Sequence, residues 1–328
     1  MSTKLTAGLS PHIKSPQSVA KVMWAVSIAL IPSFIASVTF FGPRALLVLA
    51  VAVLSCVLTE AFIQAFMLKK PITVSDGSAV VTGLLLAFNI PVSIPLWMVA
   101  VGGFVAIGIG KMAFGGIGNN PFNPALVGRA FMTTSFAAPM TNWRLPLVFD
   151  GSTGATPLGI IENAAQTGMS ALQSDLPGYF NMFIGNIGGS LGETSALAIL
   201  IGGIFLIARG LIDWRTPLFF LGSLVAFTGI FWGIAPESYA DPLFHVLAGG
   251  AMLGAWFMAT DMTTSPMSRK GRIIFAVGAG LLTGIIRLFG AFPGGVSYAI
   301  LIMNAMVPVI DNHIRPKRFA QGAIHEKA

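Results

Sequence analysis

The chain alternates between long apolar runs and short polar breaks. Most runs approach the roughly 17 to 24 residues with which a helix crosses a hydrocarbon core of ~30 Å. We therefore predict ten membrane spans, at residues 22–41, 45–68, 78–90, 96–114, 123–138, 195–208, 217–234, 243–260, 273–290 and 297–310. The third is short because Pro91 and Pro95 follow it, which indicates a discontinuous or tilted helix.

A weak internal repeat organises these spans. Residues 77–83 align loosely with residues 248–254, so each half would hold five spans. Because an odd number of spans ends on the other side of the membrane, the second half would enter the membrane from the side opposite to the first half. We expect an all-α polytopic membrane protein, with about ten transmembrane helices in two inverted five-helix repeats. The expected divisions are a cytoplasmic N-terminal segment (1–21), the first repeat (22–138), an extracytoplasmic loop (139–194), the second repeat (195–310) and a cytoplasmic C-terminal tail (311–328).

Composition and charge support a membrane protein and exclude an ordinary soluble domain. Of the residues, 55% are hydrophobic and only 9% are charged, against about 25% charged in soluble proteins. The net charge of +7 arises from Lys and Arg beside apolar runs, as in cytoplasmic loops of membrane proteins, so we expect no nucleic-acid binding. With both termini inside, only Arg44 and Arg144 of the basic loop residues fall outside. The N-terminus lacks the apolar core of a signal peptide, and we expect nothing to be removed from it.

Several kinds of chemistry are not expected from the residues present. Cys56 is the only cysteine, so the chain alone can form neither a disulfide nor a four-cysteine iron–sulfur site. The four histidines are scattered along the sequence, and we expect no metal site and no catalytic residue. Phosphate-loop, zinc-protease and hydrolase motifs are missing from the sequence.

Ionisable residues in or beside apolar runs are candidates for function, because charges at membrane depth are costly. Asp76 and Ser78 stand before the third span and could shape an ion path, or Asp76 could simply cap a helix. Arg129 lies in the fifth span and could serve a site or form a structural ion pair. Asp261, beside the eighth span, is expected at a place corresponding to that of Asp76, with a structural role.

Asn123-Pro124 begins the fifth span, with Asn as the predicted N-cap and Pro at the first helical position. The pair also occurs in the half-helices of water and glycerol channels. Those channels use two such motifs, and residues 294–297 do not repeat it. We therefore do not favour a water channel, although Asn123 could line a site.

The central loop carries the strongest chemical motif of the chain. Residues 150–158, Asp-Gly-Ser-Thr-Gly-Ala-Thr-Pro-Leu, resemble the flavinylation motif of membrane redox complexes, D-G-x-[S/T]-G-A-[S/T]. In that motif FMN is joined through its phosphate to the last hydroxyl, here Thr156. Gly154 would relieve crowding, and Ala155 would leave room for the flavin transferase. A plain solvent turn is the alternative interpretation.

The resemblance extends to other parts of the chain. Residues 10–12, 75–83 and 121–128 are similar to the membrane protein RnfD of the Rnf complex and to its homologue NqrB, of the sodium-pumping NADH:quinone oxidoreductase. The short N-terminus is more typical of RnfD.

The resemblance implies a membrane subunit of an ion-translocating ferredoxin:NAD⁺ oxidoreductase, not catalytic alone, in a bacterial or archaeal cytoplasmic membrane. Covalent FMN at Thr156 would relay electrons, coupled to Na⁺ or H⁺ movement, and the family allows a second, non-covalent riboflavin. Partners would be the other Rnf subunits, the flavin transferase and the lipid bilayer. Asn123 and Arg129 are expected near a flavin. The alternatives are NqrB of the quinone reductase and a urea-channel-like solute transporter.

Overall fold

A computed structural model describes residues 17–147, 153–167, 176–290 and 294–314. Within these ranges the regular structure is helical, apart from one isolated bridge between Arg144 and Thr153. The α-helices are α1 Val19–Ala29, α2 Ile31–Phe41, α3 Pro43–Phe62, α4 Ser78–Phe88, α5 Leu96–Gly108, α6 Pro124–Ser135, α7 Ala137–Met140, α8 Pro157–Thr167, α9 Tyr179–Ile184, α10 Ala196–Ala208, α11 Arg215–Ile234, α12 Pro242–Leu247, α13 Ala251–Leu253, α14 Arg269–Phe289 and α15 Val296–His313. The prediction of an all-α fold is confirmed.

Five helical segments among the described residues are long and apolar enough to cross a membrane. They are Val19–Phe41, Pro43–Met67, Leu96–Phe114, Arg215–Ile234 and Arg269–Phe289. The helices α4 and α10 are also apolar but shorter.

The outer surface of the helix assembly is apolar. Leu58, Phe66 and Ile234 are 65%, 71% and 75% exposed, whereas Glu60 and Lys111 are buried. A surface that presents large apolar side chains suits lipid rather than water. The chain is a multi-pass membrane protein.

Several of the predicted spans are short or interrupted. The first span is divided at Leu30, because Pro32 occupies the first turn of α2. The third is the 11-residue α4, which follows a 3₁₀ turn at Val74–Asp76. The eighth is divided into α12, α13 and a π-helical turn at Gly254–Met258, with Ala248 to Gly250 between α12 and α13.

Two groups of helices pack side by side. In the first, α3 packs against α4 and α5, and α5 against α6. In the second, α11 packs against α12 and α14, and α14 packs against α15. The groups are joined where α1 and α2 contact α10 and where α6 contacts α15.

Glycines allow the closest of these helix contacts. A Cβ on Gly83 of α4 would lie 2.6 Å from Val53 Cα and 2.9 Å from Ala52 O of α3. A Cβ on Gly202 of α10 would lie 2.0 Å from Ala29 O. Because the obstructing atoms belong to the backbone, a side chain at either position would force the helices apart.

A buried ion pair also fastens the first group. Lys111 Nζ lies 2.6 Å from Glu60 Oε2, and both side chains are at most 3% exposed. Gln64 Nε2 donates to Glu60 Oε1 at 3.1 Å, which satisfies the second carboxylate oxygen. Each charge is therefore compensated inside a medium of low dielectric constant.

The substitution Gly83→Ala should lower the stability of the fold. The added methyl group meets the α3 backbone, and overpacking of this kind costs about 1–3 kcal/mol. Gly222→Ala on α11 is the matched control, because no atom lies within 4 Å of the added Cβ. Thermal unfolding of the detergent-solubilised protein measures both variants, and equal melting temperatures for the two would contradict the close helix approach.

Removal of one partner of the buried ion pair should lower the stability of the fold far more than removal of both. Lys111→Met leaves Glu60 as an uncompensated buried charge, which costs about 3–5 kcal/mol. The double variant Lys111→Met with Glu60→Gln should recover most of that loss. Arg215→Gln is the control, since Arg215 lies 3.9 Å from Asp213 in a partly exposed pair. Chemical unfolding of the unaltered protein and the three variants tests this order, and a double variant no better than Lys111→Met would refute it.

Candidate functional site

The segment that carries Thr156 is held against the loop after α7. Thr153 forms the isolated bridge with Arg144, and the Gly154 N–H donates to Trp143 O at 3.0 Å. A Cβ on Gly154 would lie 2.5 Å from Leu145 Cδ2, so glycine allows this contact. Asp150, Gly151 and Ser152 of the motif lie outside the described residues.

Thr156 directly precedes α8, and its side chain caps the first turn of that helix. Its Oγ1 accepts a hydrogen bond from the Gly159 N–H at 3.1 Å. Leu158 is buried, and it packs so closely on Gly249 that a Cβ there would lie 2.8 Å from its Cδ1. The buried leucine fixes the helix start, and Thr156 remains half-buried at the surface.

Thr156 lies on the wall of a cavity of about 940 Å³, open mouth included. We call this space the Thr156 cavity, and its mouth opens to solvent. Its apolar wall includes Trp143, Ile187 and Tyr298. Backbone forms much of the remaining surface, at Gly188, Gly189, Gly249, Gly294 and Gly295.

A buried ion pair between α6 and the central loop lines the same cavity. Arg129 Nη1 lies 2.6 Å from Glu193 Oε1, with side chains 15% and 7% exposed. The same Nη1 donates to Asn89 Oδ1, at the end of α4. Ser190 Oγ donates to Glu193 Oε2 at 2.7 Å. Three separate segments therefore meet at one guanidinium.

The glycines around Glu193 are required by its position. A Cβ on Gly250 would lie 2.6 Å from Glu193 Oε1. A Cβ on Gly192 would lie 2.3 Å from Phe88 Cβ at the end of α4. The break between α12 and α13 thus makes space for the carboxylate.

The Thr194 hydroxyl, from a residue that also lines the cavity, has no hydrogen-bond partner among the described residues. Thr194 is only 1% exposed. Buried polar atoms without partners are rare in proteins and usually indicate a water molecule or a ligand. Thr194 and Arg129 together offer donors to whatever occupies the cavity.

A second cavity, of about 760 Å³, lies at the other end of α6 and contains most of the remaining candidate residues. Ser78, Lys111, Asn123 and Asp261 line it. Ser78 Oγ lies 2.6 Å from Lys111 Nζ and donates to Asp76 Oδ1 at 2.6 Å. The two residues suggested for an ion path thus join the buried Lys111–Glu60 pair.

Asn123 caps α6, as its sequence context predicts. Its Oδ1 accepts from Ala125 N at 3.1 Å and Leu126 N at 3.4 Å, and Pro124 takes the first helical position. The capping prediction is confirmed. The structure nevertheless separates Asn123 from Thr156, because the two residues line different cavities.

Asp76 and Asp261 do not occupy corresponding places. Asp76 precedes α4 and accepts from the Ser78 N–H at 2.8 Å, whereas Asp261 follows the π-helical turn after α13. Asp261 Oδ2 accepts from Thr263 Oγ1 at 2.9 Å and from Thr264 Oγ1 at 3.0 Å. The prediction that the two aspartates occupy corresponding places was wrong. Asp76 lies before the start of its helix, whereas Asp261 lies after the end of its helical turn.

Of the residues suggested for the flavin site, the structure brings Thr156 and Arg129 to one cavity, with Gly154 and Ala155 in the segment before Thr156. Sequence reasoning missed Glu193, Ser190 and Thr194. The one available signal was the position of Glu193 beside the start of an apolar span. Among the described residues, no group of three or more His, Cys, Asp or Glu residues could hold a metal ion.

Tyr179, at the start of α9, ties the central loop to the second helix group. Its hydroxyl donates to Asp241 Oδ2, the N-cap of α12. This hydrogen bond raises the pKa of Tyr179 to about 12, with a smaller contribution from burial. The phenol therefore stays protonated, and stays a donor, well above neutral pH.

Comparison with known proteins shows extensive similarity. The chain is 45% identical to the subunit designated D of the proton-translocating ferredoxin:NAD⁺ oxidoreductase complex of Clostridium ljungdahlii, over 96% of each chain. It is 44% identical to the corresponding subunit of the Na⁺-translocating ferredoxin:NAD⁺ oxidoreductase complex of Acetobacterium woodii, over 99% of this chain and 98% of that one. It is 40% identical to that of the ion-translocating oxidoreductase complex of Stutzerimonas stutzeri, over 93% of each chain.

The model of one protein family matches residues 6–320, which include both helix groups and the central loop. Similarity over this length covers the Thr156 cavity and the cavity beside Lys111 together. The chain belongs to the NQR2, RnfD, RnfE family.

Proposed function

We propose that this protein is a membrane subunit of an ion-translocating ferredoxin:NAD⁺ oxidoreductase and carries FMN covalently on Thr156. The observation that carries the proposal is the position of Thr156. Its hydroxyl stands beside an open cavity whose wall holds the Arg129–Glu193 ion pair. A plain solvent turn would need neither the cavity nor the pair.

The relatives support the reaction class. Their names describe subunits of ion-translocating oxidoreductase complexes, two of them acting between ferredoxin and NAD⁺. The names give H⁺ for one relative and Na⁺ for the other at nearly equal identity, so the proposal covers either cation. NAD⁺ and ferredoxin would be handled by the other Rnf subunits.

The residues around Thr156 suit a flavin attached through its phosphate. The N-terminus of α8, which is the positive end of the helix dipole, favours a phosphate there. Trp143 and Tyr298 offer aromatic faces to a planar ring, and Arg129 and Thr194 offer donors to its polar edge. When bound, the flavin supplies electron-transfer chemistry, and the protein supplies orientation and electrostatics.

The proposal includes a topology and a maturation step. Ten spans in two inverted halves would leave both termini in the cytoplasm and Thr156 on the outer face. A flavin transferase on that face would attach the cofactor. The second cavity, beside Lys111 and Asn123, would hold a non-covalent flavin such as riboflavin and would then serve the cytoplasmic side.

Replacement of Thr156 should abolish flavin attachment. Thr156→Ala removes the only atom to which the phosphate would be joined, whereas Thr156→Ser keeps a hydroxyl and should retain the flavin. Thr134→Ala is the control, because Thr134 is an exposed threonine of α6 that lies outside both the motif and the cavity. The protein is coexpressed with the transferase, denatured and run on a gel, and in-gel fluorescence is recorded. Fluorescence that persists in Thr156→Ala, or is missing from the unaltered protein, would end the assignment.

Cysteine labelling should place the Thr156 segment outside the cell. Cys56 is 0% exposed, so the unaltered chain should not react with a maleimide and serves as the blank. Thr153→Cys should be labelled by a membrane-impermeant maleimide in intact cells. Lys70→Cys, exposed shortly after the end of α3, should be labelled only after the membrane is opened. Labelling of Lys70→Cys in intact cells would reverse the proposed orientation.

A further inference from the structure

Two donor groups of the Thr156 cavity are free to bind a ligand. The Thr194 hydroxyl is buried without a partner in the described part of the chain. Within those residues, Nη1 donates both hydrogen bonds of the Arg129 guanidinium, and Nε and Nη2 donate none. Because leaving a buried donor unsatisfied is costly, the Thr194 hydroxyl gains from an acceptor in the cavity, and the unused nitrogens of Arg129 can donate to the same ligand.

The positions of the two donors are fixed by their surroundings. Thr194 directly follows Glu193, and Glu193 holds Arg129 through Oε1 while Ser190 occupies its Oε2. A Cβ on Gly294 would lie 3.8 Å from Arg129 Nη2, so the backbone at Gly294 borders this unused nitrogen. A Cβ on Gly189 would lie 3.2 Å from the Thr194 methyl group, which packs on that glycine. Two pre-positioned donors thus share one cavity wall.

The chemistry of the donors indicates which part of a flavin they bind. A guanidinium and a hydroxyl suit neighbouring carbonyl oxygens and ring nitrogens with lone pairs, which the pyrimidine edge of a flavin presents. The opposite, dimethylbenzene edge has no acceptor and suits the apolar wall. The donors therefore favour one orientation of the ring.

We infer that Arg129 and Thr194 bind the carbonyl edge of the flavin attached to Thr156, and that Glu193 is the positioning residue for Arg129. The inference rests on the proposed function and adds to it the ring orientation and the control of reduction potential. A flavin that takes up two electrons and one proton holds one negative charge, mostly at its N1–C2=O edge. Arg129 and Thr194 stabilise that form more than the oxidised ring, and so raise the potential.

The experiment measures the midpoint potential of the Thr156-linked flavin in the full chain, purified after coexpression with the transferase. The ring's visible absorbance is followed during titration with a chemical reductant, and the Thr156→Ala protein gives the contribution of any other flavin. Thr194→Val removes the hydroxyl with little change of shape. Arg129→Gln combined with Glu193→Gln removes the guanidinium without leaving a buried carboxylate unpaired.

The expected result is a lower potential with unchanged flavin attachment. Thr194→Val should weaken binding of the reduced relative to the oxidised ring about three- to tenfold, where tenfold corresponds to about 30 mV for a two-electron couple. The double variant should weaken binding of the reduced relative to the oxidised ring about tenfold or more. Thr194→Ser, which keeps a hydroxyl, should have the potential of the unaltered protein. Thr228→Val is the matched control, because that buried hydroxyl donates to Leu224 O at 2.9 Å and lies outside the cavity.

The outcomes separate this inference from the proposed function. A potential unchanged in both the Thr194 and the double variant, with flavin still attached, overturns the inference and leaves the proposed function intact. Loss of attachment in folded Thr194→Val, with normal elution in gel filtration, also overturns it, because the hydroxyl would then serve the transferase. Absence of covalent flavin from the unaltered chain defeats the proposed function itself.

Discussion

The arrangement of the Thr156 cavity depends on one constraint, the need to compensate the charge of Arg129. This residue lies within an apolar helix, where an unpaired guanidinium would cost several kcal/mol. Glu193 supplies the opposite charge from the far end of the central loop, and Asn89 supplies an acceptor from the end of α4. The loop is therefore drawn down onto the helices rather than left in solvent, and the space beneath it becomes a cavity.

The same constraint explains where the helices are interrupted. The carboxylate of Glu193 needs room beside Gly250, and α12 ends before that point. α4 ends at Phe88, so Asn89 is available to accept from the guanidinium instead of continuing a helix. Short helices are costly in a membrane because their terminal backbone groups lack partners. Here the helix ends meet polar side chains and one another, which makes the interruptions tolerable and places polar atoms beside the Thr156 cavity.

The sequence was sufficient for the elements that depend on local pattern. Apolar length predicted the helices, Asn123-Pro124 predicted the start of α6, and Asp150 to Thr156 identified the loop segment of interest. The Arg129–Glu193 pair was beyond such reasoning, because the partners are 64 residues apart and neither residue's surroundings name the other. The separation of Asn123 from Arg129 was also missed. At 1.5 Å per residue, six positions along α6 amount to ~9 Å, enough to place the two side chains at different depths.

Helix α6 connects the two polar regions of the molecule. Its N-terminus, at Asn123 and Pro124, lines the cavity beside Lys111, and its middle, at Arg129 and Thr133, lines the Thr156 cavity. Each cavity contains a buried cation paired with a glutamate from another segment, Lys111 with Glu60 and Arg129 with Glu193. A pair of this kind is neutral overall but responds when a third charge comes near, because screening is weak at such depth.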